Sequence, residues 1–292
     1  MLAKEMNREE IPTTIESDSG TIDFGQIHRD FSQTKYGEIL LRNIRWARFK
    51  PEKTTNEQWN KLLGADVNNL KHLQLTYGLA RQFINYNYGV QLSTTHGLSV
   101  TLTKKEKEDL LLAATVHDWG EAIIGDINYD FKTKENEEEE SEHLKKIAQE
   151  IYRGKNKELA ERIELVIDDV IKDPDTKLGK IFNVIEKIGY LRTALNAWNK
   201  SRDEVDEDLK TNLRWLVAGA FPRLIIEFIE HSKIYPAVTL YLKENKEIIE
   251  EIFNGLPEEI FSKFESEQIK AQKKEKYEQS KKAWQDYYQK LI

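Results

Sequence analysis

The strongest constraint on this chain comes from residues 110–126, which read LLLAATVHDWGEAIIGD. The run begins with Leu and Ala without Gly or Pro, as is typical of a buried helix. His117, Asp118 and Glu121 follow at once, and Asp126 comes a short turn later. On a helix, side chains four residues apart share a face and those three apart nearly do. We therefore expect an imidazole and carboxylates to converge where an apolar helix ends.

Carboxylate and imidazole groups in such a place need partners. Burying a polar group without a hydrogen bond or a counter-ion costs several kcal/mol, and a metal ion can satisfy several such groups at once. The chain contains no Cys, so disulfides and thiolate ligands are excluded, and any metal must be held by His and carboxylate side chains. The residues therefore predict a divalent metal site.

The overall charge narrows the class of partner. Lys and Arg total 44 against 51 Asp and Glu, which gives a formal net charge of −7. Proteins that neutralise the phosphates of DNA or RNA are normally basic, so a polymeric nucleic acid is disfavoured. The first residues, MLAKEMNREEIP, contain no apolar core of signal-peptide length, and no apolar run approaches the roughly 18 residues of a membrane span. We expect a cytoplasmic protein with no membrane partner.

Apolar residues recur at helical spacing along most of the chain. Strand signals are few, and only 6 Pro and 14 Gly interrupt the pattern. Thr103 and Glu106 form a capping-box pattern at the start of the helix that leads to His117. The sequence therefore predicts an all-α fold.

The polarity of the chain predicts three parts. Residues 1–33 are polar and aperiodic and are expected to form a flexible or surface-wrapped arm. Residues 34–240 contain the helical patterns and the candidate site. Residues 241–292 are predicted to be a charged amphipathic helical extension that packs on the body or on a second subunit. The second possibility would give a homodimer.

Residues 36–49 have apolar side chains at helical spacing and stop before Pro51, which predicts a helix. This helix would carry Arg45 and Trp46 side by side. A single Arg on such a helix is more often solvated. Together, however, a guanidinium can bind phosphate and an indole can cover a sugar or a base.

Other polar residues allow two interpretations. His72 lies next to an apolar stripe, where it is either a hydrogen-bonded core residue or, if other ligands meet it, a metal ligand. Glu186 interrupts an apolar helical pattern and either faces out or meets a cation. The acidic run 137–140 is interpreted as a solvated helix face.

Several of these motifs stand in an order that resembles a known family. In chain order they are Arg45-Trp46, His72, His117-Asp118, Glu121 and Gly125-Asp126. This order resembles the HD-domain phosphohydrolase superfamily, and HDWGEAIIGDI is similar to the His-Asp-x-x-Glu…Gly-Asp-Ile signature of its bacterial 5′-deoxynucleotidase branch. The resemblance covers roughly residues 36–200 and implies an HD-domain-type helical bundle.

The resemblance also implies a ligand set for one divalent ion. His72, His117 and Asp118 correspond to three ligands of the family. The fourth family ligand is an Asp on a late helix, and Glu186 takes that position here. Imidazole and carboxylate ligands suit Mn, Co, Fe, Ni or Zn.

Further roles follow from the same resemblance. Glu121 would handle the proton of the attacking water, close to Asp118 in the catalytic centre. Arg45 would orient the substrate phosphate, and Trp46 would pack on the sugar. The expected lining of the nucleoside pocket is Asp126, Ile127, Asn128 and Tyr129.

The implied activity is metal-dependent hydrolysis of a phosphate ester on a small nucleotide, with the 5′-phosphate of (deoxy)nucleoside monophosphates as the expected target. A second hypothesis keeps the metal but cleaves a nucleoside triphosphate or signalling nucleotide, with Lys132, Lys134 and Lys187 available for the extra phosphates. A third hypothesis is a degenerate binding or assembly protein that retains the fold without turnover.

Overall fold

The computed structural model describes residues 22–64, 68–89, 102–125, 127 and 132–289. Its α-helices, in chain order, are α1 (Phe24–Ser32), α2 (Lys35–Arg42), α3 (Asn56–Leu63), α4 (Asn69–Gly89), α5 (Lys104–Val116), α6 (Glu121–Ile124), α7 (Lys134–Tyr152), α8 (Lys157–Val166), α9 (Lys177–Asp203), α10 (Glu207–Ser232), α11 (Pro236–Glu244), α12 (Lys246–Gly255) and α13 (Glu267–Gln289). Short 3₁₀ turns lie at Ala47–Phe49 and Glu258–Lys263, and Ile167–Ile171 forms a π-helix. The predicted all-α class is confirmed.

The helix that leads to the candidate site begins where the sequence indicates. The Thr103 hydroxyl accepts a hydrogen bond from the Glu106 backbone N–H, and the Glu106 carboxylate accepts one from the Thr103 N–H. This reciprocal capping box satisfies two of the donors that a helix N-terminus leaves unpaired. Helix α5 then carries an almost completely buried apolar run toward His117.

One continuous hydrophobic core joins the helices. Helix α9 runs through this core. Its 27 residues, at a rise of 1.5 Å per residue, make it about 40 Å long. This helix packs on α10, α4 and α5, while α4 and α5 also pack on each other. The first turn of α4, the end of α5 and the middle of α9 consequently meet inside the molecule.

Helix α1, within the segment predicted to be an arm, packs on the core. Phe24, Ile27 and Phe31 are buried, and the Phe31 ring stacks on the Trp119 ring with centroids 4.4 Å apart. These three positions share one face of a helix, and Asp23 caps its N-terminus by accepting from the Gln26 N–H. A short amphipathic pattern was therefore missed among polar residues. Residues 1–21 lie outside the described part, and the domain boundaries stay predictions.

The predicted helix over residues 36–49 is wrong in its second half. Helix α2 ends at Arg42, Ile44 forms an isolated antiparallel bridge with Asn68, and Trp46 adopts a left-handed backbone with φ 59°. The Trp59 indole N–H donates to the Arg45 carbonyl at 3.4 Å. Because long-range contacts hold this backbone, helical periodicity alone could not locate the end of the helix.

The C-terminal segment packs on the body. Helix α13 lies against α10, and its Tyr277 and Trp284 are buried. The Tyr277 hydroxyl lies 3.1 Å from the Ile252 carbonyl and 3.0 Å from the Phe253 carbonyl, either of which can accept its proton. Among the described helices, none is long and apolar enough to cross a membrane.

If α1 belongs to the core, replacing Phe31 by Ala will lower the free energy of unfolding by about 3–5 kcal/mol, because the change removes a fully buried ring. Leu41→Ala is the control, since Leu41 is 52% exposed, and we expect a change within about 0.5 kcal/mol. Urea unfolding measures both values. Equal effects of the two substitutions would contradict the place of α1 in the core.

Candidate metal centre

His72 lies in the first turn of α4 and is completely buried. Asn68 holds the start of this helix, because its side-chain oxygen accepts from the Lys71 N–H and its carbonyl accepts from the His72 N–H. The His72 ring lies parallel to the ring of Tyr190, with centroids 6.1 Å apart. Its Nε2 atom is 3.8 Å from a carboxylate oxygen of Asp118. The Thr76 hydroxyl lies 3.4 Å from the same Nε2, so His72 is a hydrogen-bonded core residue that also meets other candidate ligands, and its role as a metal ligand stays a prediction.

His117 is the C-cap of α5, and the lone pair of its Nε2 atom faces the same carboxylate, that of Asp118. Its Nδ1 lies 3.2 Å from the Ala114 carbonyl, which can only accept, so Nδ1 carries the proton and Nε2 is unprotonated. Burial lowers the pKa of His117 to about 4, which keeps it neutral at pH 7. Nε2 is buried without a hydrogen bond, 3.2 Å from Asp118 and 3.6 Å from Glu186. Such an atom fits a metal ligand.

Asp118 follows in the turn after α5 and links the surrounding groups. Its carboxylate lies 3.3 Å from the Arg45 guanidinium, which donates to it. Burial alone would raise the pKa of Asp118, but His117 and His72, when protonated, and the Arg45 guanidinium lower it. The ligand atoms of His72, His117 and Asp118 all lie within 4.8 Å of one another, so these three buried residues can hold a metal ion.

Glu186 lies in the middle of α9 with its side chain 24% exposed, and its carboxylate also approaches this group. Its Oε1 is 3.6 Å from Nε2 of His117. Burial, together with the charge of Asp118, raises the pKa of Glu186 to about 8. A bound cation would favour the ionised carboxylate, but Glu186 lies outside the group of three whose ligand atoms are all within 4.8 Å of one another, so its role as the fourth ligand stays a prediction.

Glu121 does not lie on the helix that leads to His117, contrary to what the sequence indicates. Helix α5 ends at Val116, a turn covers residues 117–120, and Glu121 begins the short α6. The expectation that His117 and Glu121 project from one helix face is therefore wrong. The Asn69 side-chain amide donates to the Glu121 carboxylate, which anchors Glu121 to α4.

Glu140 was missed by the sequence analysis. It lies on α7, in the run interpreted as solvated, yet it is only 8% exposed. Its carboxylate, with those of Asp118 and Glu121, forms a second buried group within 4.8 Å that can also hold a metal ion. The available signal was its position four residues before Leu144, on the apolar face of α7.

A lysine compensates the charge of this second group. The ammonium of Lys132 lies 2.5 Å from the Glu140 carboxylate. Burial alone would lower the pKa of Lys132, but the charges of Glu140, Glu121 and Asp118 raise it. Lys132 therefore keeps its positive charge beside the three carboxylates.

Arg45, Trp46 and Tyr190 form the wall next to His72. Arg45 is buried, with its guanidinium carbon 5.9 Å from the centre of the Tyr190 ring. Trp46 is partly buried and meets Tyr190 edge to face, with centroids 6.1 Å apart. Tyr190 was not predicted, although it lies one helical turn after Glu186 and must share its face.

Of the four residues predicted to line the nucleoside pocket, the structure describes only Ile127, which is partly buried. Asp126, Asn128 and Tyr129 lie outside the described residues, so their place in the pocket stays a prediction.

Comparisons with known proteins give no family for this chain. No protein-family model matches it, and neither a curated protein nor a solved structure matches it. The site must therefore be interpreted from its own chemistry.

Removing a ligand should strongly weaken metal binding without unfolding the chain. We expect His117→Ala to weaken binding of Mn²⁺ or Zn²⁺ by about 100-fold or more, measured by calorimetric titration. His143→Ala is the control, because His143 lies on α7 near Glu139 and outside the candidate ligand groups. Unchanged affinity in the His117 variant would exclude this residue as a ligand.

The close approach of α7 to the turn over residues 117–120 depends on Gly120. A Cβ at this position would lie 2.4 Å from the Glu140 carbonyl oxygen. We expect Gly120→Ala to lower the free energy of unfolding by about 1–3 kcal/mol. In the control Gly78→Ala nothing lies within 4 Å of the new Cβ, so stability should rise by about 0.5–1 kcal/mol. Urea unfolding of both variants distinguishes crowding from helix propensity.

Proposed function

We propose that this chain is a metal-dependent phosphohydrolase that removes the 5′-phosphate of (deoxy)nucleoside monophosphates. The supporting observation is the convergence of His72, His117 and Asp118 in a buried place, with Glu186 3.6 Å from His117. These are the residues that a resemblance to the HD-domain phosphohydrolases would make metal ligands. Three residues whose order along the chain contributes to the resemblance therefore also lie close together in space.

The proposed donor set contains two imidazoles and two carboxylates, which suit Mn, Co, Fe, Ni or Zn. When bound, such an ion would lower the pKa of a water ligand towards about 7 and would offset negative charge on the phosphoryl group. His117 is prepared for this role because its Nδ1–H donates to Ala114. This contact fixes the ring and leaves Nε2 as the ligand atom.

Glu121 is the proposed proton acceptor for the attacking water. It neighbours Asp118 without belonging to the proposed ligand set. Asn69 donates to one of its carboxylate oxygens, which fixes the orientation of the group. A carboxylate held next to the attacking water can accept its proton and later deliver one to the leaving oxygen.

Arg45 and Trp46 are the proposed contacts for phosphate and sugar. The Arg45 guanidinium donates to Asp118 at 3.3 Å. Because a guanidinium has five N–H donors, Arg45 can serve Asp118 and a phosphate oxygen together. Trp46 borders the same wall through Tyr190, where an indole can pack on a sugar.

A triphosphate substrate would need more cations than the described site offers. Lys187 is paired with Glu227 on α10 at 3.0 Å, and Lys134 is exposed at the start of α7. Lys132 borders the carboxylates but is engaged by Glu140. These contacts favour the monophosphate over the triphosphate hypothesis.

Elemental analysis of the purified protein, coupled to a hydrolysis screen, tests the proposal. Deoxynucleoside and ribonucleoside mono-, di- and triphosphates are supplied in parallel with Mn²⁺, Co²⁺ or Zn²⁺. We expect orthophosphate from monophosphates and loss of activity on chelation. Release of a polyphosphate would favour the triphosphate hypothesis. No turnover with any ion would favour a binding protein.

The role of Glu121 has its own test. Glu121→Gln should lower kcat by about 10²- to 10⁴-fold, because the amide cannot accept the proton, while metal stoichiometry stays unchanged. Glu142→Gln on the exposed side of α7 is the matched control and should retain full activity. A fully active Glu121 variant would exclude the proposed role.

A further inference from the structure

Lys132 contacts one of the carboxylates that could hold a second metal ion. Asp118 belongs to both groups of possible ligands, one with His72 and His117 and the other with Glu121 and Glu140. An acid shared in this way is a natural bridge between two cations. The second group, however, already has a cation, because the Lys132 ammonium lies 2.5 Å from a Glu140 oxygen.

Charge balance distinguishes one ion from two. The two groups and Glu186 contribute four carboxylates, and Arg45 and Lys132 contribute two positive charges. With neutral imidazoles and all four acids ionised, one divalent ion makes the site neutral. A second divalent ion would leave it with two positive charges in a buried place, which is strongly unfavourable without a bound anion.

We propose that Lys132 is a built-in substitute for a second metal ion and limits this centre to one divalent ion. The inference rests on the proposed metal centre only for the number of ions in the wild-type chain. Lys132 acts as a positioning residue, since it holds Glu140 and compensates the charge of the carboxylates that surround Asp118.

The second group has the chemistry of a hard-cation site once the ammonium is removed. Asp118, Glu121 and Glu140 offer oxygen ligands, as Mg²⁺ and Mn²⁺ prefer. The Asn69 side-chain oxygen adds a further donor, because it is completely buried and makes no hydrogen bond. The amide of the same side chain donates to Glu121, so this oxygen belongs to a group in direct contact with the acids.

The test is the number of Mn²⁺ ions bound per chain. Lys132→Met removes the charge while keeping an unbranched side chain, and we expect it to bind one more Mn²⁺ than the wild type at the same free concentration. Because Asp118 would bridge the two ions, the electron paramagnetic resonance spectrum should show an exchange-coupled pair. Lys132→Arg, which keeps the charge, should retain the wild-type stoichiometry.

Two further variants locate the additional ion. Lys132→Met combined with Glu140→Gln should lose it, because one ligand of the second group becomes neutral. Lys134→Met, at an exposed lysine two residues away, should bind as the wild type does. Circular dichroism establishes that each variant is folded before ions are counted.

The outcomes separate this inference from the proposed function. An unchanged ion count in folded Lys132→Met would overturn the inference. A coupled Mn²⁺ pair in the wild-type protein would also overturn it, and this measurement needs no variant. If the wild type binds no ion, the proposed hydrolase fails, whereas a gain of one ion in Lys132→Met would still support the role of Lys132.

Discussion

The site depends on how the buried carboxylate of Asp118 is compensated inside a helical core. A carboxylate in apolar surroundings must be compensated, and Asp118 contacts a guanidinium from the segment after α2 and imidazoles from α4 and the end of α5. Each of these elements also contributes to the core. Apolar packing therefore brings the polar groups together, and the polar groups in turn restrict how the helices can pack.

Helix α9 connects the core to the chemistry. Its apolar residues Ile185 and Ile188 are completely or almost completely buried, and between them it presents Glu186 to His117. One turn later Tyr190 packs parallel to His72. Because both side chains project from one rigid helix, the position of Glu186 relative to the two histidines is held by secondary structure rather than by a loop. This suits a site whose ligands need fixed distances.

Sequence periodicity located most helices but not their interruptions. The all-α class is confirmed, and the capping box predicted at Thr103 is present at the start of α5. The pattern over residues 36–49 failed because a bridge between Ile44 and Asn68 and a left-handed Trp46 end the helix early. Within the site, Glu140 was missed for a related reason. An acidic run suggests solvent, while burial is decided by the helix that packs against it.

The order of residues along the chain by itself determined the helical class, the absence of thiolate ligands and a set of imidazole and carboxylate candidates. The helical class follows from spacing within a few turns of helix, and the possible ligand types follow from composition. Only the tertiary structure decided that Glu186 faces His117, that Lys132 neutralises the carboxylates near Asp118 and that Asn69 holds Glu121. Such contacts join residues far apart in the chain, and their cost or benefit exists only after the core has excluded water from around them.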